Sequence, residues 1–357
     1  MLINFVVPTI GTSGGIEVIY KYVDMLILRG YDVCVYKELK ASNMHRYKYK
    51  IKNIIHQVYC TAKNLIQKRK YEHLVDKFVW EISDNTIRDA DVIVATAWPT
   101  AYKVIKLSDI KGEKYYFIQG YEVWDNEELV KKSYLFPTKK IVVSTWINNC
   151  LKRDLGIGPF PVVYNGIDLE LFHSVKIQKE KRTKNFLMLN HDLPEKGVSN
   201  GLKVFENIMN NYENCRLRMF GMNDGGKLPE YVEYYRDPTK EKLVELYSMS
   251  DIFIFPSISE GWGLTPLEAM ACGCIVVGTR TGFVEDIGRH RGNMMISDPG
   301  DVEGMINNIY EILEDEKLET NIRNNSKECI KMLNWELSCD RLEEILLESR
   351  KYRQDGK

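Results

Sequence analysis

No run in these 357 residues reaches 18 consecutive apolar positions, so no segment reads as a membrane-spanning helix. The opening MLINFVVPTIG has no charged stretch ahead of its apolar run and no small-residue cleavage site, so it does not read as a signal peptide. An excess of either charge is also missing. Lys+Arg total 49 and Asp+Glu 50, a net charge of -1, which leaves no global field to draw the chain to nucleic acid or a bilayer. Any basic surface must be local. The eight cysteines, at positions 34, 60, 150, 215, 272, 274, 329 and 339, include no CxxC pair and no His/Cys group at metal-ligand spacing. They read as reduced, mostly buried thiols of a cytosolic protein. Short-period repeats and low-complexity segments are lacking as well.

What is present is alternation. Short apolar runs bounded by Gly, Pro and Asp alternate with longer amphipathic segments, the signature of βαβ units and a parallel sheet. The first half carries 2-LINFVVP-8, 32-DVCVY-36, 91-DVIVATA-97, 115-YYFIQ-119, 140-KIVVST-145 and 162-VVYNG-166. The second carries 185-NFLMLN-190, 215-CRLRMFG-221, 251-DIFIFPS-257 and 274-CIVVGT-279. Between them 175-VKIQKEKRTK-184 is charged and apolar-poor, a solvated connector. The length suits two domains of roughly 150 to 180 residues. The division expected is 1–174, a linker over 175–184, a second domain over 185–333, and a terminal helix over 334–357 that opens at the cap Asn334. In doubly wound sheets, ligands sit at the carboxyl ends of the strands.

The most specific stretch is 259-SEGWGLTPLEAMACG-273. Gly261 and Gly263 permit backbone angles and close approaches that side chains would block. The following 265-TPLE-268 fits a capping box with Thr265 as cap, proline at the first helical position and Glu268 three residues on. A helix starting at a glycine-flanked turn just past a strand end presents free N–H groups and a positive dipole end, an anion site. Glu260 lies in the loop, where a carboxylate can bond sugar hydroxyls while backbone N–H groups hold a phosphate. For Glu268 the capping role and a ligand role are both open. For Glu260 the alternative is a solvated loop carboxylate.

This stretch closely resembles the E-x7-E motif of retaining GT-B glycosyltransferases, the GT4 group using nucleotide-diphosphate sugars. The resemblance extends along the chain: 13-SGGIE-17 resembles the glycine loop after the first strand, and 164-YNGID-168 with Phe172 the N-G-x-D turn. Further on, 194-PEKG-197 is similar to the phosphate-binding lysine turn, 246-LYSMSDIFIFPS-257 to the helix and strand before the glutamates, and 334-NWE-336 to the start of the closing helix. It implies a GT-B fold in the α/β class: two Rossmann-like, doubly wound domains facing a central cleft, with the C-terminal helix returning to the N-domain. The N-domain would take the acceptor and the C-domain the nucleotide sugar.

Residue by residue, the resemblance assigns Glu260 to the donor sugar's hydroxyls, Glu268 to the ribose and Lys196 to the diphosphate, where a cation stabilises the departing nucleotide without a metal. Gly261, Trp262, Gly263, Leu264 and Thr265 form the donor-binding turn around them. Gly14 and Gly15 match the loop whose backbone approaches the phosphates or donor sugar, a plain tight turn being the alternative. One departure falls in 190-NHDLPEKG-197, where His191 stands at the place of the family's usual arginine, replacing a permanent cation by a group whose charge depends on pH. Another is 117-FIQGYEVW-124, where many members carry a histidine. Gln119, Tyr121 and Glu122 are candidates there for lining the acceptor or donor sugar. The D-x-D pattern at Asp89-Ala90-Asp91 precedes its strand and reads as a helix-to-strand turn, so no metal site is expected. Cys272 and Cys274 read as packing behind the motif helix.

From residue 39 to residue 71 there are nine Lys or Arg, two His, four Tyr and no Asp or Glu. Apolar residues recur at helical intervals through Ile51, Ile54, Ile55, Val58, Tyr59, Ala62, Leu65 and Ile66. Two readings stand: a cationic amphipathic helix on an anionic membrane surface through residues 40–70, or a helix whose apolar face is core. No nucleic-acid partner is expected.

Together these features predict a cytoplasmic, metal-independent hexosyltransferase-type enzyme, peripheral at the inner face of the membrane if the basic segment binds it. It would need no cofactor and would move a sugar from a nucleotide-diphosphate donor to a growing cell-surface glycan, free or lipid-linked, with retention. The alternatives are a non-catalytic nucleotide-sugar-binding subunit of a glycosyltransferase complex, or an epimerase or phosphorylase on the same fold. Nucleotide base, sugar, acceptor and linkage are not legible, although 115-YYFIQGYE-122 leans weakly toward transferases of rhamnose-containing polymers.

Overall fold

The computed structural model describes residues 1–8, 14–41, 50–67, 73–123, 126–177 and 183–355. Ser13, residues 42–49 and 68–71 of the basic stretch, Trp124, and residues 178–182 of the connector lie outside the described set. Two compact units form: Met1–Val143 with Asn148–Val163 and Cys339–Lys357, and Ser144–Ile147 with Tyr164–Ser338.

The first unit contains β1 (Leu2–Val7), α1 (Gly14–Leu28), β2 (Asp32–Glu38), α2 (Lys50–Gln67), β3 (Asp76–Val79), β4 (Val92–Ala95), α3 (Trp98–Val104), β5 (Glu113–Ile118), α4 (Glu127–Tyr134), β6 (Lys139–Val142) and most of α5 (Thr145–Leu155). Its six strands are all parallel, in the order β3-β2-β1-β4-β5-β6. Parallel strands covered on both faces should be apolar nearly throughout, and β4 reads VIVA with all four residues buried. Two polar intrusions are satisfied internally. Asn4 of β1 donates to the Arg88 carbonyl and accepts from Arg88 Nε. Lys37 of β2 lies 2.7 Å from Asp76, which also accepts from the Tyr20 hydroxyl at 2.5 Å.

The second unit contains β7 (Lys184–Leu189), α6 (Val198–Asn211), β8 (Cys215–Gly221), β9 (Val232–Arg236), α7 (Lys240–Met249), β10 (Ile252–Phe255), α8 (Leu264–Ala271), β11 (Ile275–Thr279), α9 (Val284–Ile287), β12 (Met295–Ser297), α10 (Val302–Glu314), α11 (Glu316–Ile330) and the start of α12 (Trp335–Asp355). Its order is β12-β11-β10-β7-β8-β9, again all parallel. Numbered within each unit, both sheets follow 3-2-1-4-5-6, the doubly wound order. The residues on one face of this sheet, among them Phe186, Met188, Leu217, Ile252, Ile254 and Val277, pack with Val204, Phe205 and Ile208 of α6 and Met305, Ile309 and Ile312 of α10.

The terminal helix begins as read from the sequence: Asn334 Oδ1 accepts from the Leu337 amide at 2.9 Å. From Cys339 onward α12 belongs to the first unit. There Glu343 pairs with Arg29 at 2.5 Å, and the Ile345 carbonyl accepts from the Tyr115 hydroxyl at 3.2 Å. Two expectations need correction. The run 162-VVYNG-166 is not a strand of either sheet; it contributes a single bridge, Val162 to Val142. Three edge strands, β3, β9 and β12, were not anticipated.

Candidate active site

The order of each sheet reverses between its first and fourth strands, and the loops beyond their carboxyl ends flank a crevice at that point. In the second unit those strands are β7 and β10. After β7 the chain runs through Asn190 and His191 into a single 3-10 turn, Pro194–Lys196, closed by Gly197 at φ 65. A Cβ on Gly197 would lie 2.0 Å from the Pro256 carbonyl oxygen, so glycine is required for the β7 loop to lie against the end of β10. The two loops are also stitched by backbone: the amides of Ile258 and Ser259 donate to the Glu195 carbonyl at 2.7 and 3.3 Å. This positions Lys196 against the β10 loop, where its Nζ donates to Glu260 Oε2 at 2.7 Å, both side chains about four-fifths buried.

Helix α8 starts two residues earlier than its sequence suggested. Gly263, at φ 100, is the N-cap, and no side chain caps the helix. Thr265 is therefore not the cap, Pro266 stands at the third helical position, and Glu268 does not close a capping box. The positive φ of Gly263 lets the helix begin two residues earlier than threonine would. Glu268 instead accepts from the Tyr247 hydroxyl of α7 at 2.9 Å; Tyr247 is fully buried. Among the described residues the amides of Leu264 and Thr265 have no acceptor, so the first turn of α8 keeps donors available for an anion.

The loop between the glutamates is braced from behind. Trp262, 3% exposed, stacks on Tyr164 with ring centroids 4.9 Å apart. The Trp262 carbonyl accepts from the Phe283 amide, and the Gly261 carbonyl accepts from Ser144 Oγ at 2.7 Å. Asp286 gathers the Thr145 amide, the Thr145 hydroxyl and the Tyr164 hydroxyl. Burial raises the Asp286 carboxyl above its ordinary value despite these donors. The same burial, with the nearby carboxylate, pushes the Tyr164 hydroxyl up to about 12. Tyr164, Tyr247, Thr145 and Asp286 had no role in the sequence reading. The first two lie inside recognised motifs, but nothing in the spacing marks an acid in 284-VEDI-287 as the partner of both Thr145 and Tyr164.

His191 is at the β7 loop with Nδ1 accepting from the Leu193 amide at 3.0 Å. That bond assigns the neutral ring with its proton on Nε2. Burial first, and then the charge of Lys196, lowers its pKa below the ordinary 6.5. The histidine is a neutral donor, not a second cation. Glu195 Oε1 and Trp262 Nε1 are buried with no hydrogen-bond partner among the described residues. Cys272 and Cys274 are buried behind the motif helix, with the Cys274 thiol donating to the Tyr247 carbonyl at 3.0 Å.

In the first unit Gly14 and Gly15 open α1, both exposed, and a Cβ on Gly15 would meet nothing within 4 Å. Gln119, just past β5, has a buried Nε2 with no partner among the described residues. Its two neighbours in the motif are held internally. Tyr121 stacks on Tyr134 and donates to Asp154 at 2.6 Å. Glu122 accepts from the Trp98 amide at 3.2 Å. Asp89 and Asp91 precede β4: Asp89 pairs with Lys111 and Asp91 accepts from the Leu2 amide. The segment before them is turns, not helix. Among the described residues no three His, Cys, Asp or Glu side chains group as a metal site.

The family described as Glycosyl transferases group 1 matches residues 171–329, within the second unit. Among curated proteins, the N-acetyl-alpha-D-glucosaminyl L-malate synthase of Bacillus anthracis is 33% identical over 91 residues, 26% of this chain and 24% of that one. The matches cover between 24% and 56% of the length of the first curated relatives. Among solved structures, sucrose-phosphate synthase from Thermosynechococcus elongatus aligns with a TM-score of 0.73 at 15% identity, over 99% of this chain and 98% of that chain. Anabaena HepE, solved with UDP and glucose, aligns with a TM-score of 0.70 at 14% identity, over 98% and 100%. At these identities the structural likeness is one of fold: two Rossmann-like units.

Proposed function

We propose that this chain is a retaining glycosyltransferase of the GT4 type that moves a hexosyl group from a nucleotide-diphosphate sugar to a growing cell-surface glycan, working in the cytoplasm without a metal. The observation that carries the reading is the Lys196–Glu260 pair at the switch point of the sheet within the group 1 match, beside the open first turn of α8. A cation, a carboxylate and unpaired backbone donors are what a diphosphate joined to a sugar requires.

In this reading Lys196 and the α8 amides take the charge that builds on the diphosphate as the glycosidic C–O bond breaks. Glu260, partly released from Lys196 by the incoming phosphates, accepts hydrogen bonds from the sugar hydroxyls. Glu268, held by Tyr247, accepts from the ribose. His191 donates Nε2–H to a phosphate oxygen, and Gly14 and Gly15 give the donor backbone contact. The acceptor hydroxyl forms the new bond on the face the nucleotide leaves, and its proton passes to the departing phosphate oxygen. No protein nucleophile is then required. Gln119, Tyr121 and Glu122 belong to sugar binding in the first unit; the unpaired Gln119 donor supports that role most directly.

A second reading, a nucleotide-sugar-binding subunit without turnover, draws on His191: a neutral histidine stands where the related enzymes resembled by this sequence carry a permanent cation. The test separates the two. Purified protein is incubated in EDTA with UDP-, GDP- and dTDP-sugars, UDP-sugars first because HepE was solved with UDP, and nucleotide release is scored. Release from one donor, lost in Glu260→Ala, with an α-donor giving an α-linked product, is the expected result. Nucleotide-induced thermal stabilisation without release in the presence of candidate acceptors would favour the binding subunit.

A further inference from the structure

Asp286, in α9, takes no part in the reaction proposed above, yet two routes lead from its carboxylate to neighbouring residues of the loop that carries Glu260. The first runs through the start of α5. Asp286 Oδ2 accepts from the Thr145 amide at 3.0 Å, and Oδ1 accepts from the Thr145 hydroxyl. The adjoining Ser144 Oγ accepts from the Ile147 amide at 3.3 Å and donates to the Gly261 carbonyl at 2.7 Å. The second route runs through an aromatic ring. Tyr164 donates its hydroxyl to Asp286 Oδ1 at 3.0 Å and lies against Trp262 with the two planes 17° apart. Residues 144–147, Tyr164, Glu260 and Asp286 all belong to the second unit. Among the described residues no cation pairs with Asp286; the positive end of α5 and these donors hold its charge instead.

We infer that Asp286 is a positioning residue for the sugar half of the donor site: by holding Tyr164 and the first turn of α5 it sets Gly261 and Trp262, and with them the reach of Glu260, and it leaves the diphosphate half untouched. The inference rests on the donor-site reading given above. Asp286 is not catalytic, since both its oxygens are engaged and it meets the loop only through other residues. Its influence is selective because the two halves are braced separately. Lys196 is placed by the close approach of Gly197 to Pro256 and by the Ile258 and Ser259 amides on the Glu195 carbonyl. Helix α8 is anchored by Leu267, Ala269 and Met270, all fully buried. Asp286 contributes to none of these contacts. Gly261 and Trp262, next to Glu260, have behind them Ser144 Oγ, the Tyr164 ring and the Phe283 amide, which donates to the Trp262 carbonyl at 2.9 Å. Phe283 is the N-cap of α9, so the helix that carries Asp286 also touches the loop directly. A shift of about 1 Å in a group that orients substrate costs roughly a hundredfold in rate, which gives a brace of this kind its effect on the reaction.

The experiment compares, on the purified full chain, binding of UDP, GDP or dTDP, binding of the matching sugar conjugate, and kcat and KM for nucleotide release. Asp286→Asn keeps the shape and sets an amide donor against the Thr145 amide. Tyr164→Phe keeps the ring on Trp262 and loses only the bond to Asp286. In both variants the affinity for the free diphosphate should stay within about twofold of wild type, whereas the conjugate binds less tightly and kcat falls about tenfold or more in Asp286→Asn and several-fold in Tyr164→Phe. Since both substitutions break one shared bond, the double variant should fall below Asp286→Asn by no more than about twofold. If Asp286→Asn folds poorly, Tyr164→Phe and Ser144→Ala, which open one route each, carry the same comparison. Wild-type kcat in the variants, an equal loss of diphosphate and conjugate, or effects that multiply in the double variant overturns the inference. A wild type that releases no nucleotide from any donor overturns the donor-site reading and this inference with it. That failure shows in the wild type, whereas failure of the inference alone shows only in the variants.

Discussion

Lys196 Nζ and Glu260 Oε2 stand 2.7 Å apart across the switch point of the second sheet, joining the loop after β7 to the loop after β10. The pair occupies the place where cation and carboxylate are to serve one ligand, so each residue has both a structural and a functional share. Lys196→Met should lower kcat by about 10²–10³, the usual effect of losing one charge-stabilising donor. It should also cost roughly 1–3 kcal/mol of stability by leaving the largely buried Glu260 unpaired. A double-mutant cycle with Glu260→Gln separates the shares: in stability the double variant should lose less than the sum of the singles.

Tyr247→Phe removes the hydroxyl that Glu268 accepts and little else, since the ring stays packed. A stability loss of about 1 kcal/mol is expected. The donor KM should rise several-fold with kcat nearly unchanged, as befits a residue that orients a ground-state contact. An equal fall in kcat and kcat/KM would mean that Glu268 acts on the reacting bond.

Two glycines should respond oppositely. At Gly197 the positive φ and the 2.0 Å approach to Pro256 forbid a side chain, so Gly197→Ala should lose roughly 2–4 kcal/mol by denaturant titration. Gly15 opens a helix into empty space. Gly15→Ala should keep or gain up to about 1 kcal/mol, yet lose nucleotide release if that backbone meets the donor. Full activity in Gly15→Ala would reduce the residue to a turn glycine.

The pH dependence follows from His191. Its folded pKa lies below 6.5, because burial and Lys196 disfavour the charged ring. As pH falls through 6.5 the unfolded chain takes up the proton first, so this contribution to stability is full above 6.5 and is lost below it. Melting measured across that range should show a fall that His191→Gln diminishes. His191→Arg, which supplies the permanent charge, should lower the donor KM and make it less sensitive to pH.

Much of this architecture was legible because parallel strands buried on both faces write themselves as continuous apolar runs: 252-IFIF-255 and 275-IVVGT-279 needed no other signal. The edge strands did not. DKFV, VEYYR and MIS are short, and two of them carry charge because an edge has one partner and partial exposure. The 162–166 run shows the reverse error, a β-branched pair, Val163 buried and Val162 partly exposed, in a connection without a ladder. At the site, the pairing of Lys196 with Glu260 is consistent with the motif reading, but the cap was misassigned because threonine before proline is a better sequence signal than a glycine at φ 100. Asp286 and its partners were out of reach, being contacts between segments 141 residues apart. On α2 the helical period was readable, but which face met the protein was not. Ile54, Ile55, Val58, Tyr59, Leu65 and Ile66 are at least half exposed, and Gln57, Thr61 and Asn64 bond instead to Ala41 and Leu39, so the reading of the apolar face as core is overturned.

The most direct test of the central claim is isothermal titration calorimetry with UDP, GDP and dTDP and their sugar conjugates on wild type, Lys196→Met and Glu260→Gln. The account predicts that one nucleoside diphosphate binds the wild type, that Lys196→Met weakens it at least about tenfold, in line with a lost charge-assisted contact, and that Glu260→Gln spares the free diphosphate while weakening the sugar conjugate. Binding untouched by Lys196→Met, or an equal loss of diphosphate and conjugate in Glu260→Gln, would contradict it.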